Sequence, residues 1–270
     1  MEKEKPIIKV VDLVKKFDEF EAVRGISFEV EHGDVFAFLG PNGAGKTTTI
    51  KMLTTLLKPT SGKILINGFD PLTQQDEVRK SFGIVFQDQS LDDELTAYEN
   101  MEFHAVLYNI PIKLRKKRTE ELLKFTELWE RRNDLIRSFS GGMRRRLEIA
   151  RGLLHHPKVL FLDEPTLGLD PQTRNHIWEY IKNLNQKEKV TVFFTTHYID
   201  EAERSAKKVA IIDRGKIITR GTPDQIKEEA KAKSLEDAFI ALTGKEIREE
   251  ELGAGESMRY NQRLRRRRQA

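Results

Sequence analysis

The segment Val35-Phe-Ala-Phe-Leu39-Gly40-Pro41-Asn42-Gly43-Ala44-Gly45-Lys46-Thr47-Thr48 sets the architecture of this chain. Its first five residues are apolar, β-branched or aromatic for the most part, and stopped by glycine and proline, which reads as a strand buried on both faces. The rest fits GxxxxGK[ST], placed directly after that strand and directly before a helical period marked by Ile50, Leu53 and Leu57. Glycines let such a backbone curl until successive N–H groups point inward, and the helix that follows adds its positive N-terminal end, so the turn is suited to phosphate. Lys46 can reach the β- and γ-phosphates and the Thr47 hydroxyl is placed to ligate Mg²⁺. Gly40 to Thr48 are therefore expected to bind ATP with Mg²⁺.

Outward from this segment, short apolar runs recur at Ile84 to Phe86, Val159 to Leu162, Val190 to Phe194 and Val209 to Ile212. Helical periods lie between them, such as Ile177, Ile181 and Leu184. Strands alternating with helices predict an α/β fold with a mostly parallel, doubly wound sheet. Ile7 to Val11, Ile26 to Val30 and Ile64 to Ile66 are separated by turn residues instead and read as an antiparallel β layer. From Gln89 to His156 strand signals vanish, and Ala97 to Tyr108, Thr119 to Trp129 and Met143 to Leu154 have helical character, an inserted helical subdomain. The expected division is 1–88 and 157–222 for the core with its β layer, and 89–156 for the helical subdomain. A C-terminal helical extension over 223–252, opened by Thr222-Pro223, and a flexible basic tail over 253–270 complete it.

Three further patterns carry chemistry. Val159 to Leu162 runs into Asp163-Glu164, two carboxylates at the end of a strand, which by the α/β rule is the edge that carries the phosphate loop. Asp163 would hold the metal, and Glu164 would face the γ-phosphate and polarise the attacking water. Thr195-Thr-His197 closes another strand and places an imidazole at the same edge for γ-phosphate contact. Gln87, after Ile84 to Phe86, has the reach to sense Mg²⁺ or the water, or is a polar strand cap. Phe139-Ser140-Gly141-Gly142-Met143 opens a helix, either as simple capping by Ser140 or as a second anion site, because a bare helix start attracts phosphate.

Composition excludes several classes. Apolar residues make up 38% of 270 residues, so the chain can build a core, and there are no cysteines for disulfides or thiolate metal sites. No apolar run approaches the roughly 20 residues of a membrane-spanning helix, and the charged start Met1-Glu-Lys-Glu-Lys has no secretory pattern. The net charge of +4 is carried by Arg263, Arg265, Arg266, Arg267 and Arg268; the body without them is nearly neutral, so nucleic acid is not an expected partner of the body. The basic run Lys113 to Arg118 reads as a solvated face. No Asn-Lys-x-Asp motif occurs, which argues against a GTPase.

Taken together, the phosphate loop, a lone glutamine, the Ser-Gly-Gly helix start, Leu162-Asp-Glu-Pro165, Gly168-Leu-Asp170 and His197 resemble, in that order, the nucleotide-binding subunit of ABC transporters over roughly residues 5 to 243. The drug-exporter subgroup typified by the daunorubicin-resistance ATPase is the most similar part of that family. The resemblance implies a RecA-like P-loop NTPase core, in a cytoplasmic ATPase, peripheral at the inner face of the membrane, that drives a separate integral-membrane permease as a homodimer or heterodimer. It implies that Phe17 stacks on adenine and that Gln87 links nucleotide to permease. Ser140 and Gly142, with Gly141 between them, would meet the γ-phosphate of the opposite subunit, and Asp170 would lie at the dimer seam or cap the helix begun by Pro171. Phe139 and Met143 depart from the usual Leu-Ser-Gly-Gly-Gln, which removes any role of a glutamine side chain at position 143. The alternative is a soluble, non-transport ABC-type ATPase acting on nucleic acid or ribosomes, favoured only by the arginine tail. Cargo is selected inside the permease, a separate polypeptide.

Overall fold

The structure, a computed structural model, describes residues 5–244. Val35–Leu39 forms strand β3 inside a six-stranded sheet of order β5-β6-β7-β3-β8-β9. The other members are β5 Phe82–Val85, β6 Val159–Asp163, β7 Thr191–Thr196, β8 Lys208–Asp213 and β9 Lys216–Gly221. All neighbours pair in parallel except β9, which returns antiparallel to β8. The sequence pattern did not show β9, because Lys216-Ile-Ile-Thr-Arg-Gly221 is half-exposed and mixed in polarity. Its turn is nevertheless a hairpin signal, with Arg214 at φ 45° and Gly215 at φ 78°.

A second sheet of order β2-β1-β4, from Phe20–Val30, Ile8–Phe17 and Ser61–Ile66, is antiparallel throughout. It packs on one face of the large sheet. The contact is aromatic: Phe28 of β2 stacks on Phe36 of β3 with centroids 5.7 Å apart, and Phe36 on Phe193 of β7 at 5.5 Å. Helices α1 Lys46–Leu53 and α2 Gln75–Ser81 share this layer through Ile50, Leu53 and Val78. Period-2 alternation then sends Ala37, Leu39, Leu160, Leu162, Val192 and Phe194 to the opposite face. There they meet α3 Ala97–Leu107, α4 Ile112–Phe125, α5 Gly141–Gly152, α6 Pro171–Glu188, α7 Ile199–Ser205, α8 Pro223–Glu229 and α9 Leu235–Thr243 in one continuous apolar cluster.

Boundaries differ from expectation by a few residues. Phe86 and Val190 fall outside their strands, and Leu57 lies beyond α1. The helix expected over Thr119 to Trp129 starts at Ile112 and stops at Phe125, with Trp129 in a separate 3₁₀ turn. The basic run Lys113 to Arg118 is not wholly a solvated face. Arg118 turns inward, 6% exposed, where its guanidinium grips both carboxylate oxygens of Glu188 at 3.1 and 2.7 Å. Thr119, Leu122 and Leu123 of the same helix are buried beside it, and a bidentate carboxylate at the end of α6 is what makes an arginine tolerable at this depth. Thr222 caps α8 reciprocally with Gln225, with Pro223 at the first helical position. Positions 245–252 of the expected extension and the tail over 253–270 lie outside the described residues.

Candidate active site

The parallel sheet delivers three strand ends to one edge: β6 with Asp163, β7 with Thr195 and Thr196, and β3 with Gly40. Parallel register sets Asp163 directly beside Thr195, and Leu39 beside Thr196. The loop from Gly40 to Gly45 then turns over this edge into α1. Gly45, at φ 105°, caps that helix in a conformation costly for any other residue, and a Cβ there would lie 2.7 Å from the Ala22 carbonyl oxygen. The hairpin that carries Ala22 also carries Phe17, 45% exposed, with the Lys15 ammonium 4.9 Å from its ring centre.

Lys46 is 4% exposed, and its ammonium donates to the carbonyls of Gly40 at 2.7 Å and Pro41 at 3.2 Å. It also lies 3.1 Å from Glu164 Oε1. The other oxygen of Glu164 is 2.6 Å from His197 Nδ1. Burial pushes the Glu164 carboxyl up, but the His197 hydrogen bond and the Lys46 charge outweigh it and hold the group below the usual glutamate range. Glu164 is then an acceptor, so Nδ1 of His197 carries the proton in this pair. Glu164 also adopts φ 50°, a left-handed conformation that costs a non-glycine residue about 1–3 kcal/mol and that clusters at functional sites. Removing either member of the buried Lys46–Glu164 pair would strand the other charge.

Asp163 is held differently. Its Oδ1 accepts from Thr195 Oγ1 at 2.6 Å and from Thr47 Oγ1 at 3.2 Å. Burial raises this carboxyl, opposed by those two hydroxyls. Thr195 does double duty, since its Oγ1 also accepts from the Glu164 N–H at 3.0 Å. Sequence reasoning attached no role to Thr195, although its place two residues before His197 on a strand parallel to β6 would have allowed one. Glu201 was missed too. Buried on α7, it accepts from Thr166 and Thr196 and pins the turn after Glu164 to the end of β7.

Thr47 and Asp163 offer hard oxygen donors within hydrogen-bond distance of each other, a set that fits Mg²⁺. Among the described residues no group of three or more His, Cys, Asp or Glu could hold a metal unaided.

The remaining candidates form a second surface. Ser140 Oγ accepts from Met143 N–H at 3.3 Å, capping α5, and Asp170 Oδ1 accepts from Thr173 N–H at 3.0 Å, capping α6. Both capping readings therefore hold. A Cβ on Gly142 would come within 2.5 Å of the Thr173 methyl carbon, so the two helix starts pack together because residue 142 has no side chain. Among the described residues no hydrogen bond or ion pair joins Ser140, Gly141, Gly142 or Asp170 to the loop over 40–48. Gln87 is exposed just beyond β5, and its backbone carbonyl accepts from Arg145.

A curled glycine loop, a buried lysine and two strand-end carboxylates on a parallel sheet define a P-loop ATPase. The ABC transporter family matches residues 23–167, more than half of the chain, which belongs to that family as an ATP-binding subunit that hydrolyses ATP. The chain is 39% identical to the linearmycin resistance ATP-binding protein LnrL of Bacillus subtilis (strain 168), over 94% of this chain and 80% of that protein. It is 41% identical to the daunorubicin/doxorubicin resistance ATP-binding protein DrrA of Streptomyces peucetius, over 82% of this chain and 66% of that one. Among solved structures, the dimeric post-hydrolysis state of the ATP-binding cassette MJ0796 with ADP and Pi matches with a TM-score of 0.70 at 29% identity, covering 80% of this chain and 98% of that one.

Proposed function

We propose that this subunit powers a separate integral-membrane permease that exports a drug or other small molecule, by closing around ATP and Mg²⁺ with a second nucleotide-binding subunit. The carrying observation is the set of buried Lys46, Glu164, His197 and Asp163 with half-buried Thr47 on one sheet edge. Lys46 and the amides of Gly40 to Thr48 bind the phosphates. Thr47 and Asp163, and in this reading Gln87, would hold Mg²⁺, which would supply positive charge against the phosphates. Glu164, kept ionised and aimed by His197 and Lys46, orients a water whose oxygen bonds to the γ-phosphorus as the bridge to the β-phosphate breaks. A direct contact from His197 Nε2 to the γ-phosphate requires the doubly protonated ring, because Nδ1 is already committed to Glu164.

Ser140 and Gly142 open onto a surface apart from their own loop, which supports a head-to-tail pair in which they meet the partner's γ-phosphate and Asp170 lies at the seam. That the relative was solved as a dimer supports pairing with a second subunit. ATP contacts both halves only when they are closed, so its binding favours closure and loss of the γ-phosphate removes the preference. Phe17, on the hairpin beside the loop, stacks on adenine in this reading. Exposed Phe103, Val106 and Leu107 of α3, with Ile112 and Leu114 of α4, supply apolar surface on the helical layer for the permease. In this reading the subunit sits peripherally at the inner face of the cell membrane, held there by the permease; no helix among the described residues is long and apolar enough to cross a membrane. The names of the relatives support drug export. In the test, Glu164→Gln retains ATP binding, accumulates an ATP-dependent dimer in gel filtration and loses turnover by about 10²–10⁴-fold. Hydrolysis at the wild-type rate would show that Glu164 is not the reacting carboxylate.

A further inference from the structure

Between β5 and the capped start of α3, the chain runs through Phe86 to Asp92 with neither strand nor helix. Its backbone polar groups therefore need partners from elsewhere. Side chains of α5 supply them. Arg145 donates to the Phe86 carbonyl at 2.6 Å and to the Gln87 carbonyl at 3.2 Å. The same guanidinium lies 3.1 Å from Glu148 Oε2, one turn along the helix, and Glu148 Oε1 accepts from the Ser90 N–H at 2.8 Å. Arg151, a further turn on, donates to the Ser90 carbonyl at 2.8 Å. Positions 145, 148 and 151 thus read three carbonyls and one amide of an irregular strap from one helix face.

Arg145 and Glu148 are 5% and 1% exposed. A charge pair this deep gains little over well-packed apolar residues, since desolvation cancels much of its attraction. What it supplies that apolar residues cannot is a fixed geometry for the strap, through hydrogen bonds to the Phe86 and Gln87 carbonyls and the Ser90 N–H.

We propose that Arg145 and Glu148 are positioning residues that tie the Gln87 strap to the helix opened by Ser140, so that the two move as one body. This rests on the proposed function, in which Gln87 serves the chain's own ATP and Ser140 the partner's. The clamp then links the two ATP pockets of the pair: nucleotide sensed through Gln87 in one pocket sets the presentation of Ser140 to the other. No step of the reaction passes through either residue.

The test uses the full chain with both groups replaced, Arg145→Met with Glu148→Met, which removes the clamp without stranding a buried charge. Circular dichroism melting should show a folded protein with a midpoint within about 5 °C of wild type. The KM for ATP should stay within about threefold while kcat falls by about tenfold to a hundredfold, and the Hill coefficient for ATP should drop toward one. Placed on Gln87→Ala, the same pair of substitutions should lower kcat by no more than about twofold further, because its effect passes through that loop. A folded double variant with kcat within about twofold of wild type, or a loss that multiplies fully with Gln87→Ala, overturns the proposal. Wild-type protein whose ATP hydrolysis does not depend on Lys46 would instead overturn the reading of the ATP site, a separate result.

Discussion

Replacing Thr195 by valine isolates the smallest part of the site that the structure makes indispensable. The substitution keeps shape and volume and deletes one hydroxyl that is fully buried between two carboxylate-bearing residues. Asp163 Oδ1 loses a 2.6 Å donor and retains only Thr47 at 3.2 Å. A hydrogen bond to a charged acceptor contributes about 1.5–3 kcal/mol. The Glu164 N–H keeps the Thr195 carbonyl at 3.2 Å, so its share of the loss is small, below about 1 kcal/mol. The variant should therefore be about 2–3 kcal/mol less stable in urea denaturation, with an unchanged m-value. Steady-state hydrolysis should show kcat reduced by about tenfold to a hundredfold, because Asp163 and the Glu164 turn lose their common anchor, with KM for ATP changed by less than about threefold. Thr195→Ser, which restores the hydroxyl and lacks one methyl, should recover most of the rate at a cost of about 1 kcal/mol. A valine variant within about 0.5 kcal/mol and twofold of wild type would refute the claim that this hydroxyl holds the two carboxylates in place.

Further expectations concern the loop and the buried histidines. Lys46→Ala should weaken ATP binding by calorimetry by at least about tenfold, since a charge-assisted phosphate contact is lost and Glu164 is left without its cation; an unchanged titration would contradict the loop assignment. Gly45→Ala should cost about 1–3 kcal/mol by thermal unfolding, because φ is 105° and the new Cβ would press on the Ala22 carbonyl; equal stability would show that the turn relaxes freely. His104, its ring tilted against Tyr108, is lowered from its ordinary 6.5 to about 4, by burial first and then by the nearby charges of Arg151 and His155. The unfolded chain takes up this proton below pH 6.5 and the folded chain does so only near 4, so its stability contribution is complete above 6.5 and declines through that window. His104→Phe should reduce the loss of stability on acidification by up to about 1.4 kcal/mol per pH unit, measured by urea titrations at several pH values; an identical slope would rule the histidine out.

Sequence order and spacing determined a great deal about this protein. Val35 to Thr48 specified a strand, a glycine turn and a helix start, because those constraints are local: apolar alternation, positive φ at glycine and a bare helix N-terminus act over a dozen residues. The same holds for Asp163-Glu164 at a strand end, for the caps at Ser140 and Asp170, and for the α/β class. Strand β9 was not legible, since its pattern is too polar to stand out, nor was Arg118, whose inward turn depends on Glu188 seventy residues away. Only the tertiary structure decided that β7 lies between β3 and β6, which makes Thr195 the link from the Asp163 carboxylate to the Glu164 N–H and gives His197 to Glu164 as its partner. It alone showed that α5 reads the backbone beside Gln87. Spacing along a chain encodes the local turn, whereas strand order and helix packing bring together residues that share no period, and the electrostatics of the site belong to that second kind of neighbour.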